Sequence, residues 1–242
     1  MVNARARDIA HLHSPTHDHP DVSGGWLRAA VFGAMDGLVS NISLIAGVGG
    51  GGASSHAIVL TGAAGLSAGA ISMALGEYTS VRTQNDQILR ELEKERHELR
   101  TNPEVERREL ELMLQQRGYS EELSHRVAQE VSKDPELALH THVQEELGVV
   151  PDQSASPWLA AISSFLCFAI GAGIPLAPYL LGGDVLLLSL VIGGVGLFAV
   201  GAAVSRFTNR SWFASGARQF LFGAAAAGIT YLVGLLIGGV VA

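Results

Sequence analysis

The sequence has one cysteine, few aromatic residues and, over most of its length, few charges. The lone Cys167 excludes a disulfide framework within the chain, and aromatic residues make up only 6%. The formal net charge is −7 and no basic stripe is present, which argues against a nucleic-acid-binding protein. Residues 81–150 hold 16 of the 23 acidic and 10 of the 16 basic residues. The chain is therefore a charged block set within a nearly charge-free, glycine-rich remainder.

Five apolar segments outside the charged block are long enough to cross a bilayer as helices. A hydrocarbon core of about 30 Å takes roughly 20 helical residues to cross. The segments are 27–49, 57–80, 157–181, 185–204 and 216–241. A soluble core supplies one such segment but hardly five, so the sequence predicts an all-α, polytopic membrane protein with five transmembrane helices.

The charged block has the pattern of helices joined by short turns. Neither Gly nor Pro interrupts residues 77–100, so the second span is predicted to continue as one helix to about residue 100. Typical start and stop residues then recur: Asn102-Pro103, Ser120 and Asp134-Pro135 as starts, Gly118 and Gly148 as stops. We predict a helical domain over residues 81–150, inserted between membrane parts 27–80 and 157–242.

The basic residues outside the block predict the orientation. They flank the first span and the last turn, whereas turns 50–56 and 182–184 have none. The positive-inside rule then places the N-terminus and the charged block in the cytoplasm and the C-terminus outside. Because no secretory or targeting segment is recognisable, a prokaryotic plasma membrane is expected. Residues 1–26 are expected to be a flexible tail, whose HLHSPTHDH segment either collects metal ions or has no role.

Three side chains in the first two spans indicate an ion pathway. Asp36 lies near the middle of the first span, where a carboxylate is costly and needs a partner or a water-filled path. Met73 and Glu77 lie one turn apart on one face of the second span. Such oxygen and thioether ligands suit transition metals such as Mn²⁺ and Fe²⁺. Alternatively, Asp36 pairs with Arg28 or caps a broken helix, and Met73 only fills space.

Pairs of metal-ligating residues also recur in the charged block. Carboxylates stand three apart on successive helices, and a histidine and a glutamate stand four apart on the last one, so each pair shares a helix face. The pairs are Glu95 with Glu98, Glu106 with Glu109, and His142 with Glu146. The turn at Asn102-Pro103 is able to bring the first two pairs together. On composition alone, however, a solvated face of ion pairs is the better interpretation.

Several segments, in this order and spacing, resemble a known family. They are DGLVS, SMALGEY followed by SVRTQND, ELEKERHELRTNPEVERRELELML, HVQEELG and SFLCFAIGAGIPLAPYLL. Together they are similar to the vacuolar iron transporter family, over the chain from about residue 26 to the C-terminus. The resemblance implies a homodimer of five-helix protomers with a cytoplasmic metal-binding domain between spans two and three. It also implies movement of Fe²⁺ or Mn²⁺ out of the cytosol in exchange for protons.

The resemblance also implies roles for single residues. Asp36 and Met73 take the positions of intramembrane pathway residues, and four carboxylates take those of metal ligands: Glu95, Glu98, Glu106 and Glu109. The family's last two ligands are a Met and a Glu, where this chain has His142 and Glu146. Imidazole keeps a transition-metal ligand there, shifts the preference among Fe²⁺, Mn²⁺, Co²⁺ and Zn²⁺, and makes capture sensitive to pH.

These observations predict an exporter of divalent metal working by proton antiport. Fe²⁺ or Mn²⁺ is the expected substrate, Zn²⁺ and Co²⁺ are further candidates, and no organic cofactor is expected. The expected partners are protons, membrane lipid and a second copy of the chain. A membrane-anchored metal sensor or storage protein is the alternative. An enzyme is not expected, because the hydroxyl groups in the spans have no nearby histidine to act as a base.

Overall fold

A computed structural model describes residues 25–148, 154–183, 185–208 and 210–241. The described residues form eight α-helices, and no strand occurs among them. The helices are α1 (Trp26–Gly50), α2 (Ser55–Thr101), α3 (Pro103–Gln116), α4 (Glu121–Val131), α5 (Pro135–Leu147), α6 (Pro157–Leu180), α7 (Leu186–Thr208) and α8 (Trp212–Val241). The histidines of the HLHSPTHDH segment lie outside the described residues.

Five of these helices, α1, α2, α6, α7 and α8, are long and apolar enough to cross a membrane. The prediction of an all-α chain with five candidate spans is therefore confirmed. The second of them is a single helix of 47 residues, which is about 70 Å at 1.5 Å per residue. It is thus about twice as long as a bilayer core is thick. The last helix begins four residues earlier than predicted, where the backbone N–H of Ala214 donates to the Ser211 hydroxyl at 3.5 Å.

Helix α1 lies at the centre of the apolar helices. Its residues Leu38, Ile42 and Ala46 are buried against Leu197 of α7 and Ala227 of α8. On another side, α1 approaches α6 closely, because a Cβ at Gly33 would lie only 2.6 Å from the backbone carbonyl oxygen of Ser164. Small residues spaced four apart permit this backbone-to-backbone packing. The helix that carries Asp36 is consequently held on several sides.

Helices α3 to α5 connect the second and third candidate spans. Ser120 caps α4 by accepting from the N–H of Leu123 at 3.3 Å, and Asp134 caps α5 by accepting from the N–H of Glu136 at 3.0 Å. A left-handed Gly148, with φ of 64°, follows the end of α5. Leu110, Leu114 and Ala128 form a small core between α3 and α4. The helices α3 and α5 also contact the extended part of α2, which brings all three to one site.

Candidate metal centre

Four side chains that could ligate a metal ion converge where α2, α3 and α5 meet. Glu95 of α2, Glu106 of α3, and His142 and Glu146 of α5 each offer one ligand atom, and these atoms all lie within 4.8 Å of one another. The Nδ1 atom of His142 lies 3.2 Å from Glu95 Oε1, and 3.9 Å from both Glu106 Oε2 and Glu146 Oε1. Three carboxylates and one imidazole form a donor set that suits a divalent transition metal. These four residues are called the acidic cluster below.

The helix geometry explains why these four residues meet. His142 and Glu146 lie one turn apart on α5, so both project toward the same neighbour. Asn102 and Pro103 end α2 and start α3, and the N–H of Asn102 closes α2 by donating to the carbonyl oxygen of Glu98 at 2.8 Å. Glu106 lies in the first turn of α3, directly after this break. The short turn therefore returns a carboxylate to the end of the helix that carries Glu95.

Most of the acidic cluster is buried. The side chain of His142 is 1% exposed, that of Glu95 is 6% exposed and that of Glu106 is 8% exposed, whereas Glu146 keeps 30%. Neither ring nitrogen of His142 forms a hydrogen bond with a described residue, and neither does Oε1 of Glu95. The 3.2 Å contact between His142 Nδ1 and Glu95 Oε1 lacks the alignment of a hydrogen bond. Buried polar atoms without partners are costly and uncommon. A cation between these atoms would satisfy them.

Burial and mutual repulsion change the protonation of the acidic cluster. Burial, and then the negative charges of Glu146 and Glu106, raise the pKa of Glu95 to about 7. Burial, followed by the charges of Glu109 and Glu98, also raises the pKa values of Glu106 and Glu146. Burial lowers the pKa of His142. Near neutral pH the imidazole is therefore uncharged and ready to ligate, while Glu95 is partly protonated and would release that proton on binding a metal.

The other two predicted ligands, Glu98 and Glu109, lie beside the acidic cluster without belonging to it. Glu109 is exposed, and the 37%-exposed side chain of Glu98 lies 3.9 Å from the Lys94 ammonium. Their negative charges still act on the buried carboxylates. The structure thus brings together four of the six predicted ligands and leaves two at the rim, where they strengthen the attraction for a cation.

The three predicted pathway residues each have a different environment. The carboxylate of Asp36 is partly buried and accepts a hydrogen bond from the Ser40 hydroxyl at 3.1 Å. Met73 packs against a buried cluster that contains Phe168 of α6. Glu77 forms an ion pair with Arg28 at 3.0 Å. Arg28 therefore forms its ion pair with Glu77. It does not pair with Asp36, which was the alternative that the sequence had suggested.

Sequence analysis did not identify Glu111 as a structural partner of His125. The side chain of Glu111 is 7% exposed, and its Oε1 lies 2.6 Å from His125 Nδ1, which joins α3 to α4. Helical phase was the available signal, because Glu111 lies three residues before Leu114 and so adjoins the face that packs against α4.

Comparison with known proteins covers nearly the whole described structure. The VIT family model matches residues 27–235. A protein of Acanthamoeba castellanii named "Vacuolar iron transporter" is 40% identical over 192 residues, which are 74% of this chain and 69% of that protein. "Vacuolar iron transporter 1" of Oryza sativa subsp. japonica is 30% identical over 93% of this chain and 91% of its own length, and the protein of that name in Arabidopsis thaliana is 30% identical over 89% and 87%. The chain therefore belongs to the VIT family.

Proposed function

We propose that this protein transports divalent transition metal ions, with Fe²⁺ or Mn²⁺ as the main substrate, out of the cytosol. Its relatives are named as iron transporters, and five helices are long and apolar enough to span a membrane. The observation that carries the proposal is the acidic cluster: three carboxylates and a neutral imidazole, largely buried, with unpartnered ligand atoms. Zn²⁺ and Co²⁺ are secondary substrates, because imidazole is a good ligand for both.

Capture takes place at the acidic cluster, on the cytoplasmic side in this proposal. The rim charges of Glu98 and Glu109 attract the cation, and the buried Glu95, Glu106 and His142 bind it. Binding displaces protons from the carboxylates, since only the deprotonated forms are ligands. The partial exposure of Glu146 leaves the ion an entry and exit route. The site therefore concentrates metal near the membrane without enclosing it fully.

Passage follows the first two spans. Glu77 and Glu95 are on the same helix, 18 residues apart, which is about 27 Å along its axis. Met73 lies one turn beyond Glu77, and Asp36 lies on the neighbouring α1. A second copy of the chain, packed through its membrane helices, would complete the pathway around these side chains. The homodimer is part of the proposal.

Proton exchange supplies the energy. A carboxylate must lose its proton to ligate metal, so H⁺ and metal compete for Asp36. Each charge moved across 100 mV corresponds to about 2.3 kcal/mol, so inward proton movement is able to drive metal outward. We place the N-terminus and α3 to α5 in the cytoplasm and the C-terminus on the other side, which is the cell exterior for a prokaryotic plasma membrane and the lumen for a vacuolar one.

The competing function is a membrane-anchored metal sensor or storage protein. Metal binding at the acidic cluster is compatible with this sensor or storage function, because binding there requires no passage through the membrane. A partly buried Asp36 on a candidate membrane span favours transport, because an anchor has no use for a carboxylate at that position.

Reconstitution into liposomes separates the two functions. An internal metal-sensitive dye would report Mn²⁺ or Fe²⁺ uptake under an imposed pH gradient, for the native protein and for Asp36→Asn. We expect uptake by the native protein and its loss in Asp36→Asn, with metal binding at the acidic cluster unchanged by calorimetry. Unaltered uptake by Asp36→Asn would remove that residue from the pathway. Tight metal binding without any uptake by the native protein would establish the sensor or storage function instead.

A further inference from the structure

An ion pair joins α1 and α2 near the ends of their apolar segments. Arg28 Nη2, in the first turn of α1, lies 3.0 Å from Glu77 Oε2. The two side chains differ in exposure: Glu77 is 11% exposed, whereas Arg28 is 68% exposed. Residues 27–80 contain two carboxylates, Asp36 and Glu77. The contact therefore places a guanidinium on one of the two carboxylates available to a cation in these spans.

The backbone around this ion pair is held by other contacts. Ala29, Val81 and Ala160 form a buried cluster among α1, α2 and α6. The rings of Tyr78 and Trp158 pack with centroids 4.9 Å apart. The side-chain amide of Asn85 donates to the carbonyl oxygen of Ala155 at 2.9 Å. The helices thus do not need the ion pair to stay together at this level, and the exposed Arg28 side chain is the part that is free to move.

We propose that Arg28 is a selectivity gate, which occupies Glu77 until a divalent cation displaces it. This inference rests on the proposed transport function. In the native chain Glu77 lies between the acidic cluster and Met73 along α2. Of the two carboxylates in these spans, an ion that leaves the cluster for the membrane meets Glu77 before Asp36, and finds Glu77 neutralised by Arg28.

The chemistry of the guanidinium explains the selectivity. Arginine stays charged at every accessible pH, so it leaves Glu77 only in exchange for another cation and not by losing a proton. At equal distance, a divalent ion is attracted to the carboxylate about twice as strongly as a monovalent ion. K⁺ and Na⁺ therefore displace Arg28 poorly, whereas Fe²⁺ or Mn²⁺ displaces it well. The exposed position of Arg28 lets the displaced guanidinium turn into water, where it is well solvated.

The test measures Mn²⁺ uptake into proteoliposomes against Mn²⁺ concentration for Arg28→Gln. Removal of the competing guanidinium should lower the concentration for half-maximal uptake by about two- to fivefold, the size expected for the loss of an ion pair whose cationic partner is exposed. It should also make uptake sensitive to inhibition by K⁺. Arg28→Lys, which keeps a charge but loses the planar fork, should be intermediate. Arg82→Gln is the matched control, because Arg82 is similarly exposed but pairs with Asp86, and it should behave as the native protein.

A purely structural ion pair predicts different results. In that case Arg28→Gln would reduce uptake together with the melting temperature, and the exchange Arg28→Glu with Glu77→Arg would restore both. A gate predicts that the exchange leaves the melting temperature close to the native value but abolishes uptake, since arginine at position 77 is no metal ligand. Rescue of uptake by the exchange, or equal half-maximal concentrations for Arg28→Gln and Arg82→Gln, would overturn the gate while leaving transport intact. Absence of uptake by the native protein would instead refute the transport function itself.

Discussion

The Nδ1 atom of His142 lies 3.2 Å from Oε1 of Glu95, and neither atom forms a hydrogen bond with a described residue. The two residues belong to different helices, α5 and α2, and α2 is also the second candidate membrane span. An ion bound between them would therefore be attached directly to a helix that enters the membrane. The acidic cluster lies beyond the apolar segment of α2. Mutations in the cluster therefore test metal binding separately from passage through the membrane.

Glu95→Gln is expected to weaken Mn²⁺ binding by at least about tenfold, because it removes a ligand from the centre of the cluster. It should also stabilise the metal-free protein, since it relieves repulsion among buried carboxylates. Calorimetry and thermal unfolding in detergent measure the two effects. Glu93→Gln is the control, because Glu93 is on the same helix with its side chain 75% exposed. Equal metal affinities in the two variants would contradict the assignment.

Metal binding is expected to release protons and to weaken at low pH. Glu95, with a pKa raised to about 7 by burial, is increasingly protonated below that pH, so the affinity should fall by up to about tenfold per pH unit for each proton released. Calorimetry in two buffers of different ionisation enthalpy counts the protons. His142, whose pKa is lowered by burial, is neutral at pH 7 and is not their source. Binding without proton release at pH 6.5 would exclude the raised pKa of Glu95.

The stability of the metal-free protein is expected to fall as pH rises from about 6.5 to about 7.5. The folded state keeps the Glu95 proton to a pKa of about 7, whereas the unfolded state loses it near 4.5, so the folded state binds more protons across that window and rising pH favours unfolding. The lowered pKa of His142 acts oppositely, chiefly below about pH 6.5, and its effect fades above that pH. Melting temperatures at fixed ionic strength measure the slope. Glu95→Gln should flatten it, and an unchanged slope in that variant would place the proton elsewhere.

His142→Met is expected to preserve metal binding and change its selectivity. The variant replaces an imidazole nitrogen with a thioether sulfur at a site 1% exposed, where the similar volume limits the packing cost. Affinities for Zn²⁺ and Co²⁺ should fall relative to that for Fe²⁺, because imidazole is the stronger ligand for the first two. Competition binding with Fe²⁺, Mn²⁺, Co²⁺ and Zn²⁺ measures the ratios. Identical ratios in the two proteins would show that His142 does not ligate.

Gly33→Ala is expected to destabilise the protein by about 1–3 kcal/mol, the usual cost of overpacking. Its new Cβ would lie 2.6 Å from the carbonyl oxygen of Ser164, so α1 and α6 must move apart. Gly173→Ala is the matched control on α6, since its Cβ meets nothing within 4 Å. That variant should be neutral or slightly stabilising. Thermal unfolding of both proteins in the same detergent is the measurement, and equal melting temperatures would refute the close approach.

Local features of the sequence, such as capping residues and the positions of Gly and Pro, predicted most of the helices. Ser120 and Asp134 were expected to begin helices and do cap them, and the absence of Gly and Pro after Glu77 predicted that α2 continues past the apolar segment. Such signals act over a few residues, so they are visible in one sequence. The metal-ligand role of the acidic cluster stays a prediction, although its four residues were among those named from spacing and resemblance.

Contacts between helices were harder to predict. Arg28 had two carboxylates within plausible reach, and the sequence did not indicate that it would pair with Glu77 and leave Asp36 to Ser40. Glu98 and Glu109 share helix faces with Glu95 and Glu106 by spacing, yet they lie at the rim. Spacing along a helix defines which side chains share a face to within a wide arc, and the rotation of each helix against its neighbours decides which members of that face are buried.

The sequence by itself determined that the chain is helical, that five segments are apolar enough to span a membrane, and which carboxylates lie one turn apart. These properties follow from composition, periodicity and capping, all of which are local. Only the tertiary structure decided that Glu95, Glu106, His142 and Glu146 meet, and that burial raises the pKa of Glu95 to about 7. The reason is physical: desolvation and repulsion depend on distances between helices that are far apart in the chain, and packing alone sets those distances.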